Sequence, residues 1–397
     1  MAQVPALDLP ADPGPGVVPG VRRLAVLRAN GVGDYVVAEP ALAALRAAYP
    51  DAEITLLGAA HTRPLVEDRP GPCDRYVQVP LTTGVRVGPD PDASPEQIEQ
   101  WCAQQRAHDY DLAVQLHGGG RNSNALLLRL GARTTAGAAT PDAPKPDRWV
   151  PYTPFQHDTL RWLEVAQTVG AGALRVEPHV AVTAADLAES RSVLPPGDAP
   201  LVAVHPGATD GRRCYPEDRL GRVARELADR GARVVVLGGP ADAERVQRVV
   251  DGFGGEVETV VGGLSLGGLI GTLRRCSLML GNDSGPRHLA GAVGTPTVAV
   301  FTYANLADVA PLSRTWHRLE VSWHGGCQVC GRRVLEGWCE HRASATHDVP
   351  VTRVAELAHE LWDQIEASGR TRRDTPAGEA HAAAPGSDGT QPGSTAA

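Results

Sequence analysis

The chain is organised around Leu278-Met279-Leu280-Gly281-Asn282-Asp283-Ser284-Gly285-Pro286-Arg287-His288-Leu289-Ala290-Gly291-Ala292-Val293-Gly294-Thr295-Pro296-Thr297-Val298-Ala299-Val300-Phe301. Its apolar run 278–280 reads as a buried strand, 282–285 as a tight turn, 286–293 as a short helix and 297–301 as the next strand. A strand, turn, helix and strand in that order form one unit of a parallel sheet. Ser284 is placed to cap the helix, Pro286 is tolerated in its first turn, and Gly285 lets the backbone come close to a ligand. Free amides at a helix start beyond a strand end suit a phosphate.

The same alternation extends in both directions. Upstream, strands are expected at 23–28, 52–57, 76–79, 111–116 and around 134–137, with helices near 37–48, 96–107 and 123–130. Pro40 lies too deep for a first turn, so that helix is expected either to bend there or to begin near Glu39. A Pro-rich connection over 138–151 is followed by an amphipathic bridging helix from His157 to Val169. The second half offers strands at 201–204, 233–237 and 257–261, helices at 217–229, 241–250 and 266–274, and then the opening unit. After Phe301 the pattern weakens until an amphipathic helix over 351–365. Two alternating halves of similar size fit two facing doubly wound α/β domains with a cleft between them better than one barrel, which needs eight even units. The expected division is a disordered leader over 1–20, a first domain over 21–152, a second over 153–350, a C-terminal helix over 351–368 and a disordered tail over 369–397.

Composition narrows the function. A net charge of −8 over 397 residues argues against a nucleic-acid partner, which would select a clustered basic surface. Lys145 is the only lysine, a skew that reads as coding bias. Seven cysteines, an odd number spread through a long chain, do not form a disulfide framework, so a reducing cytoplasm is expected. No apolar run is long enough to span a bilayer, and the N-terminal stretch lacks the features of a signal peptide.

Several clusters could carry chemistry. Gly31-Val32-Gly33-Asp34 follows the first strand but lacks the third glycine of a dinucleotide fingerprint, and a carboxylate there would repel a pyrophosphate. Asp34 is better suited to act as a base facing a hydroxyl, with a simple helix cap as the other reading. His205-Pro206-Gly207-Ala208 ends the first strand of the second half, with Thr209, Arg212 and Arg213 just beyond. Either arginine could grip phosphate oxygens in a bidentate manner, and an exposed basic loop is the alternative. Gly238 and Gly262 mark turns bordering the same strand ends. Cys327 and Cys330, then Cys339, His341 and His347, suit a zinc site by the spacing of the first pair, against free thiols or a local disulfide. Asp90-Pro91-Asp92 and Asp109-Tyr110-Asp111 imitate an acidic metal motif by accident, and no divalent metal is expected for the reaction.

Asp283-Ser284-Gly285-Pro286-Arg287-His288-Leu289-Ala290, the Gly33-Asp34 pair and Pro206-Gly207-Ala208 together resemble glycosyltransferase family 9, the heptosyltransferases of the two-domain B-type fold. The similarity extends over roughly residues 23–365. Arg stands where the family has Lys, and Tyr215 where it has Trp. The resemblance implies inverting transfer of a heptose or related sugar from a nucleoside diphosphate, ADP-heptose in the family, to a hydroxyl of a cell-envelope glycan, a lipid-linked acceptor or a small molecule. It implies Asp34 as the base and no required cofactor. It implies a donor site from Thr209, Arg212, Arg213, Gly238, Gly262, Asp283, Ser284, Gly285 and His288, and an acceptor side from Asn30, Gly33, His117 and Arg121. The place of action it implies is the cytoplasm, at the inner face of the membrane with peripheral contact. A nucleotide-sugar epimerase of the same architecture and a non-catalytic nucleotide-sugar binding protein remain alternatives.

Overall fold

The structure, a computed structural model, describes residues 16–67, 69–86, 91–337, 339–341 and 343–371. Most of the expected leader and tail, and Asp90 of the first acidic pair, lie outside the described residues.

The first sheet is built from β1 (Arg23–Arg28), β2 (Glu53–Gly58), β3 (Arg75–Gln78), β4 (Leu112–Gln115), β5 (Thr134–Ala139) and β6 (Arg148–Pro151). The second has β7 (Leu201–His205), β8 (Arg233–Gly238), β9 (Glu258–Val261), β10 (Leu278–Asn282), β11 (Thr297–Thr302) and β12 (His317–Ser322). Their orders are β3-β2-β1-β4-β5-β6 and β12-β11-β10-β7-β8-β9, and every pairing is parallel. Each is the doubly wound order with its switch point between first and fourth strands, β1 and β4 in one sheet, β7 and β10 in the other. The central strands are apolar and buried because helices cover both faces.

The α-helices of the described residues are α1 (Val32–Ala48), α2 (Pro95–Arg106), α3 (Ser123–Leu128), α4 (Asp158–Gln167), α5 (Ala184–Val193), α6 (Glu217–Asp229), α7 (Ala243–Phe253), α8 (Leu266–Arg275), α9 (Gly285–Ala292), α10 (Tyr303–Val309) and α11 (Val351–Ala367). Helix α1 neither breaks nor starts late at Pro40 but runs through it, and the Thr159 hydroxyl of α4 donates to the Val37 carbonyl one turn earlier. Helix α4 packs on α1 and on β4 to β6. No described helix is long and apolar enough to cross a membrane.

Four strands and α-helices differ from the sequence reading, one of them α10, which no apolar periodicity announces after β11. β6 lies inside the stretch expected to be a connection, and its position at a sheet edge tolerates Pro151. β12 was not expected, because its residues alternate charge with apolar character at an edge of the second sheet. Helix α5 was also missed: its buried residues are Asp186 and Ser190, so no apolar stripe marks it. A capping box starts it, with Thr183 Oγ1 accepting from Asp186 N at 3.1 Å and Asp186 Oδ2 from Thr183 N at 2.8 Å. It lies so close to α8 that a Cβ on Gly271 would stand 2.2 Å from the Asp186 carbonyl oxygen.

One apolar cluster is continuous from the first sheet to the second, joining Leu24, Val36, Leu42 and Trp162 to Leu201, Ile270, Met279 and Leu289. Polar seams flank it. Arg69 forks onto Asp186 at 2.7 and 2.9 Å, and Glu39 of α1 accepts from His179 N at 2.9 Å and pairs with Arg175.

Candidate active site

In an open parallel sheet the strand ends at the switch point diverge and leave a crevice. Here both crevices open into one cavity of about 870 Å³. Its walls are the turns after β1 (29–34), after β4 (His117), after β7 (His205 to Thr209, with Arg213) and after β10 (283–288), with Asp242 and Asn305 behind them. The two helix starts meet across it: a Cβ on Gly33 would stand 2.9 Å from His288 Cδ2, so only glycine lets α1 approach α9 this closely.

On the first side Asp34 sits in the opening turn of α1 with its side chain 39% exposed. Its Oδ2 accepts from Gly31 N at 3.0 Å and its Oδ1 from Arg28 Nη2 at 3.0 Å. Each oxygen keeps a second lone pair. Buried Arg28 also donates to the Asp34 and Leu116 carbonyls at 2.9 and 2.7 Å, which ties the β1 turn to the end of β4. His117 is buried, and burial and then Arg28 push its pKa down to about 3. The neutral ring accepts from Ala29 N at Nδ1, 3.2 Å away, so Nε2 carries the proton.

On the second side Asp283 is 1% exposed. Its Oδ2 accepts from Arg213 Nη1 at 3.1 Å and from Asn305 Nδ2 at 2.7 Å. Burial raises its pKa, but His288, Arg213 and Arg287 outweigh burial and hold the carboxyl well below the usual carboxylate range. His288 Nε2 stands 3.4 Å from Asp283 Oδ1, beyond a well-formed bond, and Oδ1 has no hydrogen-bond partner. The Ser284 hydroxyl does not cap α9 as expected from sequence, and it too is buried without a partner, as is His205 Nδ1. Three unsatisfied buried polar atoms therefore face a single cavity, a cost native proteins rarely carry except where a ligand or water completes the bonding.

Asp34, Thr209, Arg213, Asp283, Ser284, Gly285, His288, Asn30, Gly33 and His117 all line the cavity. Gly238 and Gly262 stand behind it, joined by the Gly262 N to Gly238 O bond of 2.9 Å. Arg121 lies in an adjoining hollow of about 380 Å³ that shares Asn30 and His117, and it pairs with Asp142. Of the two neighbouring arginines, only Arg213 reaches the cavity. Arg212 turns back, with Nε and Nη2 on Asp210 at 3.1 and 2.8 Å. Sequence reading assigned no role to Arg28, His205, Asp242 and Asn305. A lone arginine ending an otherwise apolar strand, and a histidine directly before Pro206-Gly207, were the signals available for the first two.

His288 yields a pH prediction. Burial and then Arg287 push its pKa down to about 4 from the ordinary 6.5. Between those values the unfolded chain binds a proton that the folded chain refuses, so stability falls as the pH drops through that window. The urea midpoint should follow this slope, and the slope should be shallower in His288→Gln.

Away from the cleft, Cys327, Cys330, Cys339 and His341 bring their donor atoms within 4.8 Å of one another, the only such gathering of three or more metal-binding side chains among the described residues. His347 is not part of it; its Nδ1 lies 3.1 Å from the Ser344 carbonyl.

Comparison with known proteins agrees with this layout. The pattern of glycosyltransferase family 9 (heptosyltransferase) matches residues 102–334. Lipopolysaccharide heptosyltransferase 2 of Escherichia coli K12 is 27% identical over 177 residues, 43% of this chain and 49% of that protein. The chain thus spans about half the length of the curated relatives it matches. Among solved structures, a family 9 glycosyltransferase from Veillonella parvula superposes with a TM-score of 0.68 at 20% identity, covering 86% of this chain and 97% of its own. The E. coli ADP-heptose LPS heptosyltransferase II gives 0.66 at 19% identity, covering 87% and 99%. Two facing six-stranded sheets of the B-type arrangement, with a family match over more than half the sequence, make this chain a glycosyltransferase belonging to family 9.

Proposed function

We propose that this enzyme transfers a heptose or closely related sugar, with inversion, from a nucleoside-diphosphate donor to a hydroxyl of a cell-envelope glycan, and that the donor is ADP-heptose. The observation that carries the reading is the shared cavity: a carboxylate on one sheet faces a pocket on the other that holds Arg213 and three unsatisfied polar atoms. The family description and the names of the relatives point to heptose and to lipopolysaccharide.

The acceptor hydroxyl gives its proton to Asp34 as its oxygen forms the new bond to the anomeric carbon. The bond from that carbon to the diphosphate oxygen breaks on the opposite face, and the electron pair leaves with the diphosphate. Arg213 and the free amides at the start of α9 stabilise the charge that gathers there. Unpaired Asp283 Oδ1 is suited to accept from a donor hydroxyl, and the His117 Nε2 proton to orient the acceptor. The first sheet thus serves the acceptor and the second the donor. In this reading the cysteine cluster holds a structural zinc, since none of its four residues lines the cavity. The reaction takes place in the cytoplasm, at the inner face of the membrane.

Thermal-shift screening with ADP, UDP, GDP and dTDP sugars tests the donor. The ADP sugar should give the largest rise, a stabilisation of about 2.7 kcal/mol when it is present at about 100 times its Kd. Release of nucleotide should then require an acceptor. Sugar isomerisation without acceptor would replace transfer with epimerisation, and binding with neither outcome would leave a carrier.

A further inference from the structure

We propose that Cys327, Cys330, Cys339 and His341 hold one zinc ion, and that this zinc-bound segment keeps Arg213 in the cavity by gripping its neighbour Arg212. The second half of the proposal rests on Arg213 being a donor contact.

Among the described residues of the segment between β12 and α11, Cys327, Ala345 and Val349 are the buried apolar side chains, while Trp323, Val329 and Leu335 are exposed at 70, 62 and 55%. Some other constraint must hold an excursion of this kind, and a metal does so in small folds. The local backbone is already shaped for one. Cys327 N donates to the Arg332 carbonyl at 2.9 Å, Gly331 N returns to the Cys327 carbonyl at 2.8 Å, and Gly326 bridges Arg333 in antiparallel fashion. Gly331 takes the left-handed conformation, φ 74°, directly after the second cysteine, and Val329 N aims at Cys327 Sγ at 3.4 Å. The result is a tight Cys-x-x-Cys-Gly turn with both sulfurs on one side.

Three thiols and an imidazole are the donor set of a closed zinc site. A tetrahedral ion with Zn–S bonds of about 2.3 Å spaces its ligands roughly 3.8 Å apart. The observed spread of up to 4.8 Å therefore needs only a small contraction of side chains. A disulfide would take two of the sulfurs and leave the third sulfur and the ring gathered for no purpose.

From this knot the chain reaches the donor turn by three bonds. The Arg212 guanidinium donates to the Gly337 carbonyl, two residues before Cys339. Ala345 N donates to the Arg212 carbonyl at 2.8 Å, and Thr346 Oγ1 to the Cys214 carbonyl at 3.2 Å. Arg212 and Arg213 share one helical turn, Gly211–Arg213, so holding the first fixes the direction of the second. Arg212 is a positioning residue: its own side chain faces Asp210 and the cysteine segment.

The test starts from metal analysis of the full-length protein, which should carry about one zinc per chain and lose it in Cys330→Ser. Removing the metal should speed hydrogen exchange at the Arg213 and Cys214 amides, and weaken ADP binding measured by calorimetry, each by about tenfold. Arg212→Met should keep the zinc yet show the same faster exchange and weaker ADP binding. If Cys330→Ser does not fold, chelation of the wild-type protein gives the same comparison. Purified protein without zinc overturns the site, and so does a different metal in its place. Zinc whose removal leaves exchange at 213 and 214 unchanged overturns the tether. Failure of the intact protein to bind ADP would instead count against the donor reading, because the exchange measurement needs no nucleotide.

Discussion

Asp34→Asn should cut turnover by about 10² to 10⁴ while leaving nucleotide affinity close to that of the parent enzyme. The substitution is nearly isosteric. An amide oxygen can still accept from Gly31 N, so the start of α1 should survive. What disappears is the ability to take a proton from the acceptor. Arg28, at 3.0 Å, holds the orientation of the carboxylate while its exposed edge remains free for the incoming hydroxyl. Single-turnover rates with donor in excess, alongside calorimetry for ADP, separate the two effects. A variant that turns over like the parent would remove Asp34 from the reaction, and one that simply loses ADP would make it a structural residue of the turn.

Arg213→Ala should lower kcat/KM by about 10² to 10³, with most of the loss in kcat, because the charge it meets grows as the sugar–diphosphate bond breaks. Arg213 also balances the buried Asp283 carboxylate, at 3.1 Å. Asn305, His288 and Arg287 stay in place around that carboxylate, so the pocket keeps part of its structure. Arg213→Lys restores charge without the planar fork and should recover only part of the rate. Steady-state kinetics on the two variants checks this. Equal activity of Ala and Lys variants would mean that the guanidinium contributes geometry alone, and an unchanged Ala variant would remove it from the donor site.

The parts of the site carried by short glycine-bearing turns were readable from sequence. Gly31 to Asp34 and Asp283 to His288 each follow an apolar run and open a helix, so neighbours in sequence are neighbours in space. The cysteine quartet was readable for a similar reason, through the spacing of Cys327 and Cys330. Asn305 was not readable, because it reaches Asp283 from the first turn of α10, where no local pattern announces a contact with a turn two elements away. The choice between Arg212 and Arg213 was equally hidden. Adjacent residues in a tight helical turn point in different directions, and which one meets the ligand depends on Asp210 and on a carbonyl at Gly337, far along the chain. Helix α5 escaped because its hold on α8 is polar and glycine-mediated, through Ser190, Thr272 and Gly271. Periodicity detects apolar stripes and passes over contacts of that kind.

The unbroken apolar cluster linking both sheets has a bearing on how such an enzyme can be re-engineered. Replacing residues 21–152 with the corresponding portion of a relative, to graft a new acceptor preference, would set a foreign surface against Ile270, Met279 and Leu289 and break the Arg69–Asp186 fork. Chimeras cut at the connection would therefore inherit a mismatched seam, whereas exchanging only the loops after β1 and β4 would leave the joint intact.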